Sequence, residues 1–277
     1  MHIGRARTPA VESDPEPRHL SPNFYYLQED LLREYCETHP ETGWNIVMPA
    51  AVIGATQYAS MNTFVSFAVY AAVQAHRKQP INFGSGWRSW QFDSTNSTAR
   101  LTGYLSEWAV LEAKCKNQKF NSQDGGLMSF DRFFEELARW FGVEAVNGPV
   151  DEAKYTDITL TGGKDAPIGY GPPLIHPQSF TLAQWAQEPG VKEAWEQIMK
   201  ESNGQLKTNV FKGSARDLFM MGDFTYLPFG TLSMNKVRRF GFSGFVDTVE
   251  SVFETYQEMA ELGMLPRMKV DVARPLI

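Results

Sequence analysis

The run Trp44-Asn45-Ile46-Val47-Met48-Pro49 constrains the fold of this chain more than any other segment. It is short, apolar and partly β-branched, and Gly43 and Pro49 bound it, the pattern of a buried strand. Helical patterns flank it on both sides. Upstream, Ser21 as N-cap, Pro22 in the first turn and the stripe Phe24, Leu27, Leu31, Tyr35 predict a helix to about Glu37. Downstream, Met61 to Gln79 carries Phe64, Phe67, Ala71 and Ala75 on one stripe and stops before Pro80. One strand between two helices predicts an α/β fold.

The rest of the chain alternates in the same way. Ile81-Asn82-Phe83 leads into a Gly84-Ser85-Gly86 turn, a helix is expected from about Thr98 to Ala113, and Gln118 to Asn121 reads as a strand before Gly125-Gly126. Ser129 to Phe141 is the cleanest helix: Phe130, Phe133, Phe134, Leu137 and Phe141 share a face and Gly142 follows. Five such side chains read as core. Residues 151–180 are rich in Gly and Pro and predict a long irregular flap. Helices resume over Leu182 to Ser202, with a break at Pro189-Gly190, then over Ala215 to Tyr226 and Val246 to Leu262.

With 277 residues, 43% of them hydrophobic, the chain can bury a substantial core in one large or two modest domains. A net charge of -6 with scattered Lys and Arg gives no basic footprint, so nucleic acid is not an expected partner. The two cysteines, Cys36 and Cys115, and the five histidines show no metal-ligand spacing, so no metal is expected. The start Met1-His2-Ile3-Gly4 has no apolar leader, and the run Thr63 to Ala75 is shorter than the about 20 residues a membrane helix needs. A cytoplasmic protein without a membrane partner is the expectation.

A dinucleotide fold places glycines between a strand and a helix, where the backbone approaches the diphosphate. That fingerprint is absent from the sequence. Gly169-Tyr170-Gly171 lacks the third glycine and runs into Pro172-Pro173, and Gly163-Lys164 lacks the rest of a P-loop. Both read as loop punctuation.

Asn23-Phe24-Tyr25-Tyr26 followed by Glu29-Asp30 resembles the N-F-Y-Y-x-x-E-D motif of the progesterone 5β-reductase/iridoid synthase-like branch of the short-chain dehydrogenases/reductases. Further matches follow in register. They are Trp44 to Pro49 with Ile53-Gly54, Ser60-Met61-Asn62, Tyr70-Ala71-Ala72, Lys119-Phe120-Asn121, Phe141 to Glu144, Ala194 to Ile198, Ser233 to Lys236 and Gly241 to Phe245. The flavour is that of fungal members.

The resemblance implies the C-terminal part of an extended short-chain dehydrogenase Rossmann fold, with an incomplete parallel sheet and a mostly helical substrate-binding region. Residues 1–80 would be a remnant of the NAD(P)-binding domain and 81–277 mainly the substrate region. It further implies reduction by NADPH of a small apolar carbonyl or enone, in keeping with fungal secondary metabolism, and allows a homodimer. Tyr25 would be the catalytic hydroxyl that hydrogen-bonds the carbonyl oxygen. Pro49, Val52 and Ile53 would contact the cofactor, and Tyr26, Trp87, Phe219 and Ser233 the substrate, with Trp90, Phe224 and Tyr226 as further candidate walls. Reduction at the carbonyl, alcohol oxidation and epimerisation stay open as alternative chemistries.

The residues themselves agree in part. Tyr25 lies off the apolar stripe and in a first turn, where the helix field favours developing negative charge on its oxygen. The competing expectation is that Tyr25 and Tyr26 pack at a domain seam. Departures from the family pattern matter too: Met48 replaces its arginine, Ser97-Thr98-Ala99-Arg100-Leu101 its D-A-D-L segment, and its K-H-Y lysine and glycine-rich loop would fall upstream of Met1. The alternative function is therefore a non-catalytic, truncated remnant or partner-binding fragment unable to hold nucleotide. On that view Ile46, Val47 and Ile53 would be left exposed and the isolated chain would bind a hydrophobic dye.

Overall fold

The computed structural model describes residues 5–20, 22–57, 62–160, 162, 171–213, 215–228 and 230–273. In chain order its elements are α1 (Phe24–Thr38), β1 (Asn45–Pro49), β2 (Val52–Ile53), α2 (Thr63–Arg77), β3 (Ile81–Asn82), α3 (Trp87–Trp90), β4 (Ser97–Thr98) and α4 (Ala99–Leu111). Then follow β5 (Gln118–Ser122), α5 (Phe130–Phe141), β6 (Val146–Asn147), β7 (Thr156–Leu160), β8 (Leu174–Gln178), α6 (Leu182–Trp185), α7 (Val191–Glu201), α8 (Ala215–Thr225), α9 (Asn235–Arg239) and α10 (Thr248–Glu261). Strand pairing is parallel in β1·β5, β2·β4 and β3·β6, so the fold is α/β as expected. In the longest parallel pair Asn45 lies opposite Gln118 and Pro49 opposite Ser122.

α2 is the centre of the molecule. Every residue from Phe64 to Gln74 is buried, because α5, α7, α8, α10 and β3 pack around it. A helix buried all round has to be apolar all round, and its few polar groups need partners. The Tyr70 hydroxyl accepts from Asn82 N–H at 2.8 Å, and burial pushes its pKa up to about 12. Gln74 donates to the Pro80 carbonyl at 2.7 Å and accepts from the Trp185 indole at 3.3 Å. Phe67 sits among the rings of Phe64, Phe130, Phe133, Phe134 and Tyr226, with centroids between 5.7 and 6.1 Å away. The expected face of α5 supplies three of those rings, and Gly142 ends α5 in the left-handed region at φ 75°.

A second, smaller core lies beside β1 and β5. Leu105 and Ala109 of α4 meet Cys115, Phe120, Met234 and Val237 there, with Val47 and Trp108 at its border. Ile46 and Val47 are half-buried, and Ile53 is only 1% exposed because α10 packs over β2 and β4. The expected exposure of Ile53 is thus corrected: the C-terminal helix covers it.

Three other expectations change. The N-cap of α1 is Asn23, in extended conformation, whose Oδ1 accepts the Tyr25 N–H at 3.2 Å. Asn caps as well as Ser and stands directly before the first helical residue. The 151–180 region is not merely irregular, because β7 and β8 form an antiparallel pair in which Thr156 lies opposite Gln178 and Leu160 opposite Leu174. α3 and α9 were not foreseen. Expectations for Ser21, Ser60-Met61, Thr161, Gly163-Lys164 and Gly169-Tyr170 lie outside the described residues.

Two buried titratable groups pull in opposite directions. Asp223 on α8 accepts the Leu182 and Ala183 N–H groups at 2.7 and 3.1 Å, yet burial raises its pKa to about 6 despite those bonds. His176 on β8, 2% exposed and 3.4 Å from the Ser85 hydroxyl, is pushed down to about 4 by burial. The raised carboxyl adds stability that is complete below its unfolded pKa and lost as pH rises through 6. The lowered imidazole adds stability that is complete above its unfolded pKa and lost as pH falls through 4. Each is worth roughly 3 kcal/mol by linkage, with opposite sign.

Accordingly Asp223→Asn should steepen the loss of stability between pH 7 and 4, and His176→Gln should flatten or reverse it, in urea melts taken across that range. In the same assay at neutral pH, Phe67→Ala should cost about 3–5 kcal/mol, whereas Leu27→Ala on exposed α1 should stay within about 0.5 kcal/mol.

Candidate functional site

Two groups of the expected site residues lie around the β1·β5 pair. The first is the start of α1. Tyr25 is 64% exposed, its ring lies 4.2 Å from that of Phe24, and its hydroxyl makes no hydrogen bond to a described residue. Tyr26 is half-buried beneath the Arg18 guanidinium, 4.8 Å from the ring centre. The expected stripe Phe24, Leu27, Leu31 and Tyr35 is exposed along its whole length, and α1 buries none of its residues.

What holds α1 is charge. Lys119 on β5 lies between Glu16 at 2.7 Å and Glu29 of α1 at 2.6 Å. Glu29 also pairs with Arg33 at 2.7 Å, and Arg33 stacks 4.3 Å over Trp44 at the entry to β1. Arg18 joins Glu16 and takes both oxygens of Asp30 at 2.7 and 2.9 Å. Burial works against the Lys119 ammonium, but the two carboxylates outweigh it and raise its pKa. The same contacts with Lys119 and Arg18 hold Glu16 below the usual carboxylate range against the effect of its burial. Tyr25 stands one helical turn before Glu29, so this cluster fixes the first turn that carries it.

The second place is the carboxyl end of the two strands, where parallel sheets usually meet ligands. Pro49 and Val52 are exposed there and Ile53 is buried. Ala50 N–H donates to the Ser97 hydroxyl at 2.9 Å, and Ser97 donates to the Ser122 carbonyl at 2.6 Å. The buried Asp124 accepts Thr98 N–H at 2.5 Å and the Thr248 hydroxyl at 3.0 Å, and burial still raises its pKa against those bonds. Near it, Asn96 Nδ2 is buried without a hydrogen-bond partner among the described residues.

The expected substrate residues are dispersed. Ser233 is buried beside β5, where its carbonyl accepts from Asn121 Nδ2 at 3.1 Å. Trp87, half exposed, lines a cavity of about 580 Å3 with Arg88, Gln91, Phe92 and Asp93, and its N–H donates to Glu152. Phe219 is fully buried, between Trp185 and Phe211. Trp90 and Tyr226 are likewise core residues against Phe83. Sequence reasoning missed Asp124, Ser97 and the Lys119 cluster, whose partners lie far apart in the chain. The one available signal was Lys119 itself, a charged residue inside a short strand next to Phe120.

No protein-family model matches the chain. Among curated proteins it is 27% identical over 279 residues to an uncharacterized protein of Schizosaccharomyces pombe and 26% identical over 272 residues to the short chain dehydrogenase gsfE of Penicillium aethiopicum. These alignments take in 96% of this chain and 68% and 66% of those proteins. It is 29% identical to the (S)-8-oxocitronellyl enol synthase CYC2 of Camptotheca acuminata, over 90% of this chain and 56% of that protein. A 3-oxo-Delta(4,5)-steroid 5-beta-reductase of Arabidopsis thaliana is 26% identical over the same shares. The chain thus spans between about half and two thirds of its relatives' length. Along most of its own length it is related to short-chain dehydrogenases and reductases of the iridoid synthase and steroid 5-beta-reductase kind.

Because α1 has no fully buried residue and is tied down by ion pairs, Lys119→Met should speed amide exchange throughout residues 24–38 and leave α2 and α5 protected. Exchange mass spectrometry reads this directly; equal protection of α1 in both proteins would refute the attachment.

Proposed function

We propose that this relative of the short-chain dehydrogenases/reductases is a nicotinamide-dependent reductase of a small apolar carbonyl or enone, with the Tyr25 hydroxyl meeting the substrate oxygen. One observation carries the reading: Tyr25 occupies the first turn of an Asn23-capped helix, accessible and with its hydroxyl free of described partners. A phenol there can donate to a carbonyl oxygen as charge builds on it, and the helix N-terminus adds a favourable field. Lys119 and Arg18 position the turn from outside through Glu29, Glu16 and Asp30. Relatives named as enol synthases and a steroid reductase support carbonyl chemistry.

The cofactor is NADPH on this reading, and the described residues fit it only at one end. Pro49 at the end of β1 and Val52 at the start of β2 are accessible, but Ala50 N–H is already taken by Ser97. Among the described residues no glycine-rich turn joins a strand to a helix to cradle a diphosphate. The chemistry assignable to these residues is therefore that of the carbonyl end alone. The exposed stripe of α1 favours a second reading, a partner-binding protein that does not turn over substrate.

A fluorescence titration with NADPH on the purified chain separates the two. Saturable binding, with 2-cyclohexenone reduced and Tyr25→Phe lowering kcat about 100-fold or more at unchanged NADPH affinity, is the expected result. No binding at millimolar NADPH would leave only the partner-binding reading.

A further inference from the structure

A groove runs along the segment Val11–Ser13, beside β5 and α9. It consists of two adjoining cavities that share Glu12 and Lys236. One, about 600 Å3, has Trp44, Lys119 and Arg33 among its walls. The other, about 340 Å3 and more apolar, is closed by Val11, Ser233, Arg239 and Phe240. Together they lie in the size range of small-molecule sites.

Its cations are not alike. Lys119 and Arg33 are committed to Glu16 and Glu29. Lys236 is half-buried on α9 and makes no ion pair among the described residues; its ammonium hangs 5.2 Å from the Phe120 ring and 5.9 Å from the Phe240 ring. Arg239, one turn on along the same short helix, is also unpaired among them and exposed. The one carboxylate in the groove, Glu12, turns an oxygen to Asn121 N–H at 3.0 Å. The Ser233 hydroxyl, 8% exposed, accepts from Asn235 N–H at 3.3 Å and donates to no described residue. An ammonium partly withdrawn from water and without a counter-ion among the described residues, beside a hydroxyl whose proton has no described acceptor and an apolar wall, is arranged for an anionic head on an apolar body.

We propose that this groove binds a small amphipathic anion, a carboxylate or phosphate monoester, with Lys236 and Arg239 on the charged head, Ser233 donating to it, and Val11 and Phe240 against the apolar part. The site requires neither nucleotide nor the Tyr25 hydroxyl, so it stands or falls apart from the reductase reading. Val11 and Glu12 come from the segment anchored by Ala10, which pairs with Leu232 and accepts Ser233 N–H at 2.8 Å. The same strap therefore roofs the groove and fixes Ser233.

Calorimetric titration of the full chain with octanoate, octyl phosphate, octanol and inorganic phosphate tests it. Octanoate or octyl phosphate should bind saturably, and which of them binds tighter identifies the head group. Octanol and inorganic phosphate should each bind at least about tenfold more weakly. Lys236→Met should lower affinity for the anion about tenfold, with Lys236→Arg restoring most of it and Tyr25→Phe leaving it unchanged. Arg239→Gln, at an exposed position that cannot compromise folding, should weaken binding severalfold and secures the test if Lys236→Met does not fold. Octanol binding as well as octanoate, inorganic phosphate binding as tightly as either, Lys236 and Arg239 variants binding like the parent, or no binding up to about 10 mM of any probe would each overturn the proposal.

Discussion

The complete burial of α2 is the constraint from which the rest of this structure follows. A helix with eleven consecutive buried residues cannot lie on a surface, so α5, α7, α8 and α10 have to close around it whatever else the chain does. The aromatic rings around Phe67 show how this is achieved: Phe133 and Phe134 of α5 meet it edge to face, and Tyr226, just past α8, lies tilted against it. The short parallel strands add little to this core, chiefly Ile53 of β2 and Ile81 of β3. β3·β6 meets the middle of α2 through the Tyr70 hydroxyl on Asn82, and β2·β4 is covered by α10.

Two kinds of adhesion therefore coexist. The body is held by apolar burial, which is insensitive to salt and spread over many residues. The α1 helix is held by a chain of ion pairs running from Asp30 through Arg18, Glu16, Lys119 and Glu29 to Arg33. The first turn of α1 carries the tyrosine on which the functional proposal rests, so the proposed chemistry would be mounted on a helix whose ion pairs weaken as ionic strength rises.

Local features were readable in the sequence and distant pairings were not. The α5 face and its Gly142 stop, the break at Gly190 and a strand within Trp44 to Pro49 each depend on spacing within a dozen residues, and the structure contains them, the strand ending at Pro49. The β7·β8 pair was hidden because its strands are separated by a glycine- and proline-rich stretch that carries no alternating pattern. Lys119 finds Glu16 more than a hundred positions away, a contact no periodicity announces. The stripe on α1 shows the converse: Phe24, Leu27 and Leu31 have the spacing of a core face and are exposed, since periodicity reports a side that could be covered, not what covers it.

The opposed burial of Asp223 and His176 has a calorimetric consequence. Near pH 5 folding takes up part of a proton at the carboxyl and releases part of one at the imidazole, so the two proton flows between protein and solvent offset one another. The heat that these two groups contribute on unfolding is then nearly the same in acetate as in buffers with a large ionisation enthalpy. In that window the pair makes the interior of this protein quiet toward the buffer, although each group taken singly would couple the fold to it.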